Sequence, residues 1–404
     1  MPDTGISDTG IPEAGPDRGQ DAKAARPWAG AEFGAECGAE SGAEAGPIHD
    51  ALMIGTGPPM LFQAIVLAEA GQRVILVDAA SRPGGSWHLP EVLGYRSVEV
   101  GVHLMENRAH IHRVIENLLP EEEILRDTPD FGLWRGRRIP MRLTRVLLHG
   151  LVAGKSALRG KPEKAGHAFA NAGLALRHLG LPILYPRGGY SAVMAAALAR
   201  LEAAGARVVQ DCRIKRIRIG PAGVLAETAR GPVRARRLVM SSRAHAPIAG
   251  MEPLWQDCLR LRTFSAVLHL EGPPPGFAGY VEVIGHGVVK RARNVTAFAV
   301  PAVAAGRSLV TVQFRDDPRI ADPATLGEEA RDWLVRLGLL AAESRVIGTH
   351  RDDFDLATLP ARALAAIEAR HPDRVTVLRT VDLGDQGYAV APAPARLPVA
   401  RALP

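Results

Sequence analysis

Three residues, Gly55, Gly57 and Asp78, stand in the order in which a chain can hold a dinucleotide. The turn Gly55-Thr56-Gly57-Pro58-Pro59-Met60 follows a short apolar run, DALMIG, and opens an apolar helical stretch. Asp78 ends the next apolar run, RVILVD, 23 positions after Gly55. In such a unit the first glycine makes the turn and the second lets backbone approach a pyrophosphate at the helix start. The acid then accepts ribose hydroxyls. The third glycine of that fingerprint is Met60 here, which separates helix from strand unless packing compensates. Pro58 and Pro59 remove two amide donors, although proline suits a first helical turn.

Six residues beyond Asp78 comes Gly84-Gly85, in the run SRPGGSW. A second glycine pair after the acid lets backbone pass close to another phosphate or to a ribityl chain. A nicotinamide-only domain has no need of it, so the pair favours FAD; the alternative is an ordinary turn. The expected cofactor-lining set is therefore Gly55, Gly57, Pro58, Asp78, Ala79, Gly84, Gly85 and Ser86.

Two residues are candidates for chemistry beside a flavin. His103, in an apolar context, carries an imidazole that titrates near neutral pH and can move a proton or polarise a flavin carbonyl. A hydrogen-bonded structural histidine is the alternative. Tyr190, after two glycines, reads as a wall of the substrate cavity or as a buried tyrosine at a helix start. The arginines at 135, 137, 138, 142 and 145 can grip a phosphate or carboxylate. RIKRIR and RGPVRARR are as basic, however, and a solvated face is the preferred reading. Aromatic residues do not interleave with these charges, which argues against nucleic acid. His110 and His112 are two apart and point different ways on a helix, so no metal site is expected.

The elements that must position these residues follow from pattern. Residues 1–48 are built from Gly, Ala, Pro, Asp and Glu, with the unit GAEF, GAEC, GAES, GAEA repeated from Gly30. They lack the apolar groups to offset the entropy of ordering, and a disordered tail, with a possible partner, is expected. From Asp50, strand, glycine turn, helix and strand form one βαβ unit. Amphipathic stretches follow at His110–Leu119 and Thr144–Val152, then an Ala/Gly/Lys/Arg-rich passage to Leu181. A mixed unit begins at Tyr185: PRGGY, a helix over Ala192–Ala204 and strands at Ala206–Gln210, Arg213–Ile219 and Val224–Thr228. Between Pro253 and Asp317, β-branched alternating stretches predict a mostly antiparallel sheet. A helix over Ala324–Leu340 and the strand RVTVLRTVDLG close the pattern.

The 404 residues, 47% hydrophobic and 23% charged, suffice for one large core or two domains. Lys plus Arg exceeds Asp plus Glu by 6, too little to imply a polyanionic partner. Three cysteines without a CxxC pair argue against a disulfide framework or structural zinc. No secretory leader pattern and no long uncharged apolar run is seen, so a cytoplasmic protein without an integral membrane span is expected. GxSxG and P-loop patterns are absent.

With these residues in view, DALMIGTGPPM…VILVDAASRPGGSW resembles the FAD-binding start of the amine oxidase, phytoene desaturase and UDP-galactopyranose mutase superfamily. VEVGVHLMENRAHIHRVIENL resembles the mutase segment in which a Gly-x-His lies beside the flavin, matched by Gly101 and His103, with Glu106 in place of a second His. YPRGGYSAVMAAAL matches Pro-x-Gly-Gly-Tyr at Pro186, Gly188, Gly189 and Tyr190. The resemblance implies that backbone around Ile214 touches adenine, and that either Arg379 or Gly384-Asp385 meets the ribityl chain. The mutase's aromatic helices between Pro140 and Pro186 have no counterpart.

The implied fold is α/β: a Rossmann-like, glutathione-reductase-like FAD-binding domain with a second, mostly antiparallel β-sheet plus helices as substrate domain. Residues 49–145, 183–250 and 371–404 are assigned to the first, and 146–182 and 251–370 to the second. The implied function is an FAD-dependent oxidoreductase passing hydride from a small-molecule substrate to flavin. A nucleotide-sugar isomerase of the mutase type and a non-catalytic scaffold tethered by the tail are the alternatives.

Overall fold

The structure is a computed structural model, and it describes residues 47–378 except 88–89, 102–114, 127, 161, 178, 181, 243–245, 257, 298–302, 316–321 and 323. Its first sheet grows from the βαβ unit. Strands β1 (His49–Ile54) and β2 (Val74–Val77) pair in parallel and flank helix α1 (Pro58–Glu69). All four β2 residues are buried, as a strand covered on both faces requires.

A short strand β3 (Ile124–Arg126) pairs with β6 (Leu184–Pro186). Between them lie β4 (Phe131–Trp134), β5 (Arg137–Pro140), helix α2 (Met141–Leu158) and helix α3 (Pro162–Arg177). Helix α4 (Gly189–Ala203) then leads to β7 (Arg207–Val209), β8 (Ile214–Gly220), β9 (Gly223–Thr228) and β10 (Gly231–Ser241). The sheet order is β7-β2-β1-β10-β9-β8. The N-terminal half of β10 pairs with β9, and its C-terminal half pairs in parallel with β16 (Val375–Leu378). Five strands, β7, β2, β1, β10 and β16, are thus mutually parallel, with β8 and β9 as an antiparallel extension. Leu52, Ile75, Leu238 and Met240 form the core on one face with Leu364 and Ile367 of helix α6 (Ala361–Arg370).

The second sheet runs β15-β11-β14-β13-β12-β4-β5. Its strands are β11 (Leu259–Glu271), β12 (Tyr280–Ile284), β13 (Val289–Asn294), β14 (Arg307–Arg315) and β15 (Arg345–Thr358), joined by β4 and β5. All pairs are antiparallel except β12 with β4. One face is apolar: Ala266, Leu268, Val310 and Val312 pack on Leu326, Ala330 and Leu334 of helix α5 (Leu326–Arg336). Each valine or leucine of this set contributes about 1.5–3 kcal/mol on burial. The other face is polar and buried. Cross-strand register puts Glu282 opposite Arg291 and Arg291 opposite Gln313, with Tyr280, Arg293 and Thr311 in the neighbouring row.

Three differences from the pattern reading have physical causes. Residues 131–140 fall within the segment assigned to the first domain, yet β4 and β5 hydrogen-bond into the second sheet, because the free edge of β12 pairs β4. Helix α3 spans the Ala/Gly-rich passage, whose weak apolar period hides a helix that forms against its neighbour. Strand β15 carries Gly348, Asp352 and Asp353, poor strand formers, but pairs along its length with β11; tertiary context overrides propensity. Helices α4 and α5 differ from the expected bounds at their ends. The expected last strand is described only through Leu378.

Candidate flavin cradle and its buried acid

The glycine turn is built as its residue types require. Gly55 has φ +85°, a conformation L side chains avoid, and donates to the Val77 carbonyl at 2.8 Å, which seats the turn at the end of β2. Gly57 caps α1, and Pro58 and Pro59 follow in its first turn. The Met60 amide donates to the Gly57 carbonyl at 2.9 Å. Among the described residues the Gly57 amide has no partner, so it is the N–H of this turn left for an anion. Met60 is buried at the third-glycine position.

Asp78 organises the turn from the next strand. Its Oδ2 accepts the Thr56 amide at 2.7 Å and the Thr56 hydroxyl at 2.5 Å, and its Oδ1 accepts the Ala80 amide at 2.9 Å. A carboxylate has about four acceptor positions, so one remains for a ligand hydroxyl. Gly84 donates to the Thr56 carbonyl at 3.1 Å. Gly85, with φ +55°, comes so near that a Cβ there would lie 3.1 Å from the Gly57 Cα. The two glycine runs, distant in sequence, therefore form one surface. Ala79 is exposed beside Asp78, and Ser86 lies in a 3-10 turn, Gly85–Trp87. Ile214 begins β8 two residues after Cys212, whose amide donates to the Asp78 carbonyl at 2.9 Å. The structure thus gathers Gly55, Gly57, Pro58, Asp78, Ala79, Gly84, Gly85, Ser86 and Ile214 in one region. His103, Glu106, Arg379 and Asp385 lie outside the described residues.

From the Gly85 turn a chain of aromatic and ionic contacts reaches the polar face of the second sheet. Trp87 packs on Tyr190 with ring centroids 4.3 Å apart, and Tyr190 meets Tyr185 edge-on at 5.7 Å. Tyr190 is fully buried in the first turn of α4. Its amide donates to Glu99 Oε1 at 2.8 Å, and the Tyr185 hydroxyl donates to the same oxygen at 2.5 Å. Glu99 Oε2 lies 4.0 Å from Arg293 Nε, and the Arg293 guanidinium sits 4.2 Å from the Tyr185 ring centroid. The Glu99 carbonyl accepts the Thr311 hydroxyl at 2.8 Å.

Burial dominates the electrostatics of this cluster. Desolvation pushes the Glu99 carboxyl up, against the opposing pull of Arg293, Tyr185 and the Tyr190 amide. Burial also raises the Tyr185 and Tyr190 phenols well above their usual range, so both stay neutral. For Arg293 burial works downward, but Tyr185 and Glu99 outweigh it and hold the guanidinium charged.

Glu99, Tyr185, Trp87 and Arg293 were not singled out from the sequence. One signal was present: in Val98-Glu99-Val100 an acid stands between two valines that are both fully buried. Its partners lie at sequence separations of 86 and 91, beyond any local pattern. Two arginines of the 135–145 run bond to backbone carbonyls. Arg138 donates to the Gly276 carbonyl at 2.8 Å and Arg142 to that of Leu179 at 3.3 Å. Among the described residues no three His, Cys, Asp or Glu side chains come together as a metal site requires.

The parallel nucleotide-type sheet, the glycine turns at its strand ends and the second, mostly antiparallel sheet make a fold shared with several solved structures. The chain is similar to reduced UDP-galactopyranose mutase, with a TM-score of 0.57 and 13% identity over 81% of this chain and 86% of that one. It is similar to wild-type putrescine oxidase bound to putrescine, with a TM-score of 0.56 and 14% identity over 86% and 96% of the two chains. A fatty acid isomerase from P. acnes gives a TM-score of 0.53 and 15% identity over 82% and 93%. No protein-family model matches the sequence, and no curated protein matches it.

Proposed function

We propose that the chain is an FAD-dependent oxidoreductase that oxidises a small organic substrate by hydride transfer to the flavin. The observation that carries this reading is the contact of Gly85 with Gly57 beside the Asp78 carboxylate. It leaves an open, side-chain-free ledge at the start of α1 with one unpartnered amide and one carboxylate acceptor position. A pyrophosphate fits the ledge, with the Gly57 amide and the positive end of the helix dipole facing it. In this reading Asp78 takes a ribose hydroxyl, and Gly84, Gly85 and Ser86 flank the chain between phosphate and ring. Ala79 and Ile214 border the adenosine end. Flavin, when bound, supplies the hydride acceptor; the chain supplies position and exclusion of water.

The Glu99 cluster adds the protein's own share. Trp87 and Tyr190 link the ledge to the buried face of the second sheet, so cofactor and substrate regions are held by one set of packed rings. Glu99 fixes the start of α4 through the Tyr190 amide and keeps Arg293 charged in a dry interior. The helices between β5 and β6 hold a single aromatic residue, Phe169, which favours the oxidoreductase over a mutase-type isomerase.

The test is the visible spectrum of the purified full-length protein before and after dithionite. Bands near roughly 370 and 450 nm that bleach on reduction are expected. A colourless protein that gains neither bands nor melting temperature with added FAD overturns the reading.

A further inference from the structure

The hairpin of α2 and α3 turns an apolar face to solvent. Leu143, Leu147, Leu151 and Leu158 of α2 are 48%, 37%, 50% and 91% exposed, and Phe169 and Leu176 of α3 are 60% and 53% exposed. At about 100° per residue the four leucines fall within a sector about 80° wide. The buried side of the same helix carries Thr144, His149 and Ser156 together with Met141, Leu148 and Ala153. A surface helix of a globular protein has the opposite arrangement, so the exposed stripe requires something to cover it.

Charge says what kind of partner that is. Residues 141–180 carry seven of the 49 Lys and Arg residues and one of the 43 Asp and Glu residues, so the whole excess of +6 resides in this hairpin. Lys155 and Arg159 are exposed next to Leu151 and Leu158. Exposed leucines flanked by long basic side chains match the acyl boundary and phosphate layer of an anionic bilayer. Among the described residues no helix is long and apolar enough to cross a membrane, so the arrangement suits lying on the surface.

We propose that the α2–α3 hairpin docks on the surface of an anionic phospholipid membrane, its leucines in the acyl boundary and its lysines and arginines at the headgroups. The anchor is tied to the rest of the molecule at its base. Arg142 bonds to the Leu179 carbonyl, closing the two ends, and Met141 and Ile183 pack on Tyr280, the register partner of Arg293. A docked hairpin therefore sets the buried Glu99–Arg293 region just behind the membrane surface. The proposal stands independently of flavin binding.

The test is co-sedimentation of the full-length protein with phosphatidylcholine vesicles made with and without phosphatidylglycerol. Binding to the phosphatidylglycerol vesicles is expected, weakened at least about tenfold without the anionic lipid or at about 0.5 M salt. The combined variant Leu143→Ser, Leu147→Ser, Leu151→Ser, Leu158→Ser should lose binding while keeping its melting temperature. Lys155→Glu with Arg159→Glu, which leaves the leucines in place, should lose it as well. Failure of the wild type to pellet with anionic vesicles overturns the proposal, as does unchanged binding by both variants. So does a wild-type dimer, measured by light scattering, that the leucine variant converts to monomer, because a second copy then covers the stripe.

Discussion

Gly85 and Gly57 touch backbone to backbone: the position of a Cβ on Gly85 lies 3.1 Å from the Gly57 Cα. This contact joins the turn after β1 to the turn after β2, and any side chain at position 85 must push them apart. The strain adds to that of a φ of +55°, which costs an L residue about 1–2 kcal/mol. Gly85→Ala is therefore expected to lower stability by at least that amount and to reduce flavin occupancy. Thermal unfolding and the absorbance near roughly 450 nm measure the two effects together. Wild-type behaviour in both would show that the contact is not close in solution.

Asp78 acts on the turn as well as on any ligand. Asp78→Ala leaves the Thr56 amide and hydroxyl without their acceptor, and the expected loss of stability is about 1–3 kcal/mol. Thr56→Val removes the hydroxyl's bond to Asp78 and its weaker acceptance of the Gly84 amide at 3.3 Å, which keeps the Thr56 carbonyl, and is expected to cost about 1 kcal/mol. Titration with FAD separates the roles: affinity should fall in Asp78→Ala and stay near wild type in Thr56→Val. An equal fall in both would mean that the acid serves the shape of the turn alone.

Glu99 makes stability depend on pH in a defined direction. Its pKa is raised in the folded protein above the ordinary 4.5, chiefly by burial, so the native state holds the proton more tightly than the unfolded chain does. Its contribution is complete below the unfolded value and is lost as pH rises through the folded value. Between the two, unfolding free energy falls by up to about 1.4 kcal/mol per pH unit for one proton. Glu99→Gln, which cannot ionise, should flatten this slope in denaturant titrations run from about pH 4.5 upward. An identical slope in wild type and variant would assign the pH dependence elsewhere.

Arg293 and Glu99 form a buried pair, and removing one partner strands the other. Arg293→Met is expected to destabilise by about 3–5 kcal/mol. The double variant with Glu99→Gln should recover part of that loss, because no lone charge remains. A double-mutant cycle in urea gives the coupling directly. Additive effects would mean that the 4.0 Å approach carries no interaction energy.

The sequence by itself determined the parts of this protein that depend on neighbours along the chain. Gly55, Gly57, Asp78 and the Gly84-Gly85 pair were legible because turn geometry and the alternation of strand and helix periods are local properties. The antiparallel second sheet was legible through its β-branched alternation. Tertiary structure alone decided the rest. It placed β4 and β5 on the far sheet, made a strand of the acidic run 345–358, and drew Glu99, Tyr185, Tyr190, Trp87 and Arg293 into one buried cluster. It also turned Leu143, Leu147, Leu151 and Leu158 outward, where the helical period alone would have assigned them to a core. The reason is the same in each case. A pattern records which face of an element is apolar, whereas the partner of that face is set by contacts between residues far apart in the chain.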